Sequence, residues 1–141
     1  MEKMLNAISV AVGVVGGMLT YLYGGFDTLL ITLLIFIALD YITGIIKGIY
    51  TKSLSSEISF KGLLKKIMIL IVVSVSNVLQ HLLNGAVPLR EIVIMFYVAN
   101  EGISLLENAA VLLPNMPDKL KEVLLQLRVD CEISDNNKND S

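Results

Sequence analysis

The sequence predicts an all-α membrane protein with about four transmembrane helices arranged as two hairpins. Three spans are the alternative count. A short cytoplasmic amphipathic helix and a disordered polar tail are expected to follow. Three observations carry this expectation. The chain of 141 residues is 55% hydrophobic, with a mean hydropathy of +0.72, more apolar than an average soluble domain. The apolar residues are gathered into four runs, each close to the length that crosses a bilayer. The basic residues are bunched, five of eleven lying between Lys47 and Lys66, although the net charge is only −2. The length suits one compact unit, divided into a transmembrane part over 1–113 and a polar part over 114–141.

The first run, 4–26, contains no charged residue. It is too long for the apolar core of a signal peptide, and no A-x-A cleavage site follows it, so a retained helix is expected. The second, 28–46, is broken only by Asp40. The third, 67–83, is uncharged but carries Ser74, Ser76, Asn77, Gln80 and His81. The fourth, 92–113, holds Glu101 and Glu107. Each acid costs about 2.5–3.5 kcal/mol at the centre of an inserted helix, so this run either crosses the bilayer or lies at its interface. Gly24-Gly25-Phe26-Asp27 predicts a tight turn, because glycine tolerates positive φ. Asn84-Gly85-Ala86-Val87-Pro88 predicts another, with Pro88 opening the next helix.

The connection over 47–66 carries Lys47, Lys52, Lys61, Lys65 and Lys66 against one acid, Glu57. An excess of lysine marks a cytoplasmic loop, which places both termini in the cytoplasm. Within it Ile58, Phe60, Leu63, Leu64 and Ile67 share one side at helical spacing. That pattern suits either a short helix in the inner headgroup layer, attracted to anionic lipid, or a solvated loop. After Pro114, Pro117 suits a first helical position, and Leu120, Val123, Leu124 and Leu127 form one apolar face. The end, "SDNNKNDS", is expected to be disordered. Cys131 is the single cysteine, so no internal disulfide can form. With no Trp, five tyrosines are the only candidates for interfacial anchors of the Trp/Tyr type.

The polar residues inside the runs form stripes. Ser9, Gly13 and Gly17 stand four apart, a small-residue seam that lets another helix approach. Asp40, Gly44 and Gly48 do the same in the second run. Ser74, Asn77, His81 and Asn84 recur at three and four in the third. Tyr97, Asn100, Glu101, Ser104, Glu107 and Asn108 share a third of the wheel in the fourth. Small and hydroxyl residues are routine packing residues. Ionisable groups inside a membrane are functional candidates when they face protein or water. By depth, Asp40, Ser74 and Glu107 are expected to meet at one level, with Glu101 nearer the midplane. Two carboxylates meeting there could not both ionise cheaply. Asp40 is then either a hydrogen-bonded seam residue in a closed bundle or a water-facing residue in an open assembly.

No P-loop, GxGxxG, nucleophile elbow or HExxH occurs, so no enzyme is expected. No Cys/His/Asp/Glu group has metal spacing, and no cofactor is implied. The basic residues sit at a membrane boundary, which argues against nucleic acid. His81 alone reads as a packing or hydrogen-bonding residue. Three functions fit these features. They are a pore former, a small proton-coupled transporter using a membrane acid, and a scaffold that recruits a partner through its tail.

The stretches "LDYITGIIKG", "KSLSSEISFKGLLKKI" and "FYVANEGISLLENAA" resemble the phage holins of the toxin-secretion/phage-lysis type. The likeness runs from about Leu39 to Leu127, in matching order. It implies a phage or prophage protein of the bacterial inner membrane. Such a protein forms a homo-oligomer in the lipid bilayer and opens timed lesions. An endolysin partner then reaches the wall, or a toxin is released. The resemblance places the family's characteristic positions on Asp40, Thr43, Gly44, Lys65, Lys66, Glu101, Gly102, Glu107 and Asn108. Members of this family are often described with fewer than four spans, which bears on the fourth run.

Overall fold

The computed structural model describes residues 1–115 without a break, and beyond them 117–120, 122, 123, 125, 126, 129, 130 and 133. Four helices follow in order: α1 (Glu2–Tyr23), α2 (Thr28–Tyr50), α3 (Ser56–Leu82) and α4 (Leu89–Leu112). No strand occurs among the described residues. The first three helices are long and apolar enough to cross a membrane. Of the amphipathic helix expected after Pro117, residues 118–120 are helical, while Leu124, Leu127, Cys131 and the polar end lie outside the described residues.

Local chemistry sets the breaks. Helix α1 ends at Gly24 (φ 74°), whose N–H bonds back to the Thr20 carbonyl, and Gly25 follows at φ 104°. A side chain at 24 would also stand 2.5 Å from Asn77 Oδ1, so glycine is needed there for space as well as conformation. Asp27 then caps α2, its carboxylate accepting from the Leu30 N–H at 3.0 Å. Ser55 caps α3 through the Ile58 N–H at 3.1 Å. The second turn has Asn84 and Gly85 at φ 52° and 72°.

Much of the basic connection expected over 47–66 is helical. Helix α2 runs on to Tyr50 and α3 begins at Ser56, leaving only 51–55 as the link. The physical reason is the Ser55 cap combined with the helical spacing of Ile58, Leu63 and Ile67. One continuous helix of 27 residues results. It is about 40 Å long, longer than the hydrocarbon core of a bilayer. Its first turns carry the exposed ion pair Lys61–Glu57 (2.8 Å), an i,i+4 pair.

Pairing across the helices gives their directions. Arg90 at the start of α4 meets Asp27 at the start of α2, and Asn108 near the end of α4 meets Asp40 well along α2. These two helices are therefore parallel, and they pack most extensively. Lys66 near the start of α3 reaches Asp40 and Glu101, while Asn77 near its end reaches the end of α1. Helix α3 is thus antiparallel to α2 and α4. The molecule has a turn end (24–27 and 83–88) and a link end (51–55). The apolar core lies toward the turn end, where Leu30, Leu33, Ile69, Val73 and Ile94 are buried and Tyr23, Ile37 and Tyr97 pack around them. On α2 the exposed residues Ile31, Ile35, Leu39, Ile42 and Ile46 recur every three or four positions, a continuous lipid-facing stripe opposite the core.

Candidate functional site

Below the apolar core, toward the link end, five polar side chains from three helices converge. Asp40 of α2 is buried, 6% exposed, as is Glu101 of α4. The Lys66 ammonium of α3 lies between them and donates to both carboxylates. On the other side of Asp40, Asn108 donates to its Oδ1 at 3.0 Å and to the Thr43 hydroxyl at 3.3 Å. Thr43 in turn donates to the Asp40 carbonyl at 3.1 Å. The cluster has one positive charge for two carboxyls. Buried charge is tolerated when it is paired and its remaining sites are hydrogen-bonded, and Asp40 meets both conditions.

The D-xxx-G-xxx-G face predicted on α2 has partners on two sides. A Cβ at Gly44 would stand 3.7 Å from Asn108 Nδ2, so the gap left by Gly44 admits that amide. Gly48 faces the link instead: a Cβ there would lie 3.1 Å from Leu54 Cδ1. The expected meeting of Asp40 with Ser74 and Glu107 is corrected. Glu101 takes the position expected for Glu107, which is exposed on α4, and Ser74 is only half-buried. Counting residues from each run's end misplaces the depths because α3 and α4 begin before their apolar runs, at Ser56 and Leu89. Lys66 was assigned to the membrane surface with Lys47, Lys52, Lys61 and Lys65. It is instead a half-buried counter-ion of Asp40 and Glu101, placed there because α3 starts eleven residues earlier than its apolar run.

A second polar node closes the turn end. Arg90 is 3% exposed. Its guanidinium donates to both Asp27 oxygens, at 2.8 and 3.0 Å, and to the carbonyls of Gly25 and Tyr23. The buried Asn77 donates to the carbonyls of Tyr21 and Leu22 at 3.0 Å. Together they satisfy carbonyls that a helix end leaves without internal partners. The hydrogen bonds from Arg90 hold the Asp27 carboxyl below the usual carboxylate range. His81 is exposed, with Nδ1 2.9 Å from the Asn77 carbonyl and its ring 6.5 Å from that of Tyr21. Sequence reading missed Arg90 as a structural group. The available signal was its pairing with Asp27: each is a charged residue beside a predicted turn at the same membrane face.

Helix α1 contrasts with all of this. None of its residues is buried, and a Cβ at Gly13 or Gly17 would meet nothing within 4 Å. No group of His, Cys, Asp and Glu among the described residues could hold a metal ion.

The sequence profile of the bacteriophage holin family matches residues 17–129. The chain belongs to that family. The match covers α2, α3 and α4 with both polar nodes, and omits most of α1. Relatives occur in Clostridium, Listeria and Bacillus species. An uncharacterised 14.9 kDa protein from the nagH 3′ region of Clostridium perfringens is 46% identical, over 90% of this chain and 97% of its own. A Listeria monocytogenes protein is 41% identical over 78% of this chain and 79% of its own. The Bacillus subtilis protein YqxH is 33% identical over 83% of each. No solved structure matches this chain. As a holin family member with three apolar helices of spanning length, the chain is a membrane protein.

Proposed function

We propose that this chain is a phage or prophage holin that assembles laterally in the bacterial inner membrane and opens timed lesions. An endolysin, or in some systems a toxin, would leave the cytoplasm through them without needing to touch the holin. Family membership supports the class. The single structural observation that carries the mechanism is α1, a spanning-length apolar helix with no buried residue. Its seam of Ser9, Gly13 and Gly17 is unpartnered within one copy and has the spacing that permits close helix approach in lipid. A second copy is the partner that seam suits.

In this reading α4 is the fourth span. It runs parallel to α2 from Arg90–Asp27 to Asn108–Asp40, and its acid Glu101 is neutralised inside the protein. Both termini and the lysine-rich link end are then cytoplasmic. The cluster of Asp40, Lys66, Glu101 and Asn108 holds α2, α3 and α4 together until assembly. Its polar groups become lesion-facing when the helices separate.

Controlled expression with a dye excluded by the inner membrane tests this. Abrupt permeabilisation after a delay is expected. Unimpaired growth at high membrane levels of the protein would overturn it. The buried acids favour one second reading, a small proton-coupled transporter. Solute flux driven by a pH gradient at low expression, with the membrane otherwise intact, would select that reading instead.

A further inference from the structure

At the link end a cavity of about 460 Å³ opens between α2 and α3, with Ser104 and Asn108 of α4 on its inner wall, a size common for small-ligand sites. Three lysines, Lys47, Lys65 and Lys66, line it against one carboxylate, Asp40. Lys66 and Asp40 are already paired. Among the described residues neither Lys47 nor Lys65 forms an ion pair. Ser53 and Ser59 add hydroxyls to the wall. Gly62 gives the hollow its width, since a Cβ there would meet nothing within 4 Å. A second cavity of about 440 Å³ shares Tyr41, Leu54 and Ser59 with the first and continues to Phe60 and Leu63. A cationic, hydroxyl-bearing hollow therefore adjoins one where Leu54, Phe60 and Leu63 supply apolar surface beside Ser55 and Ser56. Both lie where α2 ends and α3 begins, at headgroup depth for helices of this length.

We propose that this cleft binds an anionic phospholipid. Lys47 and Lys65 take the phosphate, and the glycerol and upper acyl chain lie against Leu54, Phe60 and Leu63. Lysine suits this role as a mobile point charge for a phosphate oxyanion. A free phosphate offers the same oxyanion but leaves the adjoining apolar walls unused, so the two-part shape favours the lipid. This inference goes beyond lesion formation and holds whether or not lesions form.

The test uses the full chain in neutral detergent with equal amounts of phosphatidylglycerol and phosphatidylcholine, counting retained lipids by native mass spectrometry. Phosphatidylglycerol is expected to be enriched about fivefold, the weight of roughly one lysine at a membrane surface. The double variant K47Q/K65Q should bring the ratio near parity. Gly62→Leu should do the same by filling the hollow without changing charge. Lys61→Gln removes one charge from the same helix outside the cleft and should leave the enrichment intact. Parity in the unaltered protein, which no folding defect can explain, would overturn the proposal. Equal loss in Lys61→Gln would also overturn it, reducing the effect to general surface charge. Displacement of the lipid by millimolar inorganic phosphate would reassign the site to a soluble anion and overturn the lipid assignment.

Discussion

Helices α1 and α4 invert the usual relation between apolar sequence and burial. Helix α1 has no charged residue between Met4 and its end, yet buries nothing. Helix α4 carries Arg90, Glu91, Glu101 and Glu107, yet has seven buried residues, the most of any helix here. In water the opposite would hold. In a bilayer the solvent is itself apolar, so hydropathy reports which surface meets lipid, and polar groups must find partners within the protein. Helix α4 lies against both α2 and α3, where Arg90 meets Asp27 and Glu101 meets Lys66.

The strongest way to break this contrast is to remove the match. Lys66→Met leaves Asp40 and Glu101 buried without their counter-ion. Orphaning buried charge costs about 3–5 kcal/mol. The expected result is loss of the α2–α3–α4 packing, read as a collapse of protease resistance in detergent. A double variant that also carries Asp40→Asn and so removes one of the two orphaned acids should recover part of it.

At the turn end, Arg90→Met should cost less, about 1–3 kcal/mol, because the freed carbonyls and Asp27 lie beside a turn that water can reach. Thermal unfolding in detergent measures it. A pH dependence accompanies this pair. The Asp27 carboxyl is held below its ordinary value by Arg90. Its contribution is therefore fully present above the ordinary carboxylate range and is lost as pH falls through the depressed value. The acid sensitivity should be reduced in both Asp27→Asn and Arg90→Met.

The smallest effect on the fold is expected in α1. Gly13→Leu and Gly17→Leu add side chains where nothing stands within 4 Å, so stability should change by no more than about 0.5 kcal/mol. The onset of permeabilisation should nonetheless shift, because the seam would no longer admit a second helix closely. Unchanged onset in both variants would exclude this face from assembly.

Much of the architecture was legible in the chain, for identifiable reasons. Glycine pairs at 24–25 and the Asn84-Gly85 step mark turns that need positive φ. Lipid-facing stripes such as Ile31, Ile35, Leu39, Ile42 and Ile46 need only helical periodicity. Asp40, Gly44, Glu101 and Asn108 stood out as polar or small residues in apolar runs, Thr43 only through the family resemblance, and the structure brings them together. Lys66 stood out only through the family resemblance and as one of the basic residues at the membrane boundary, not as a partner of Asp40. A lysine beside an apolar run looks like a surface residue, and hydropathy cannot register that the helix starts before the run does.

The sequence by itself determined the all-helical class, the positions of the two glycine turns and which stripes are apolar. These follow from local turn chemistry and from the exclusion of unpaired polar groups from hydrocarbon. Only the tertiary structure decided which polar residues pair. Glu101 rather than Glu107 shares Lys66 with Asp40, and Arg90 closes the end of α1, because the register of the packed helices sets those contacts. The structure also decided that α1, although uncharged from Met4 to its end, remains outside the core, its glycine seam open on the surface of a single copy.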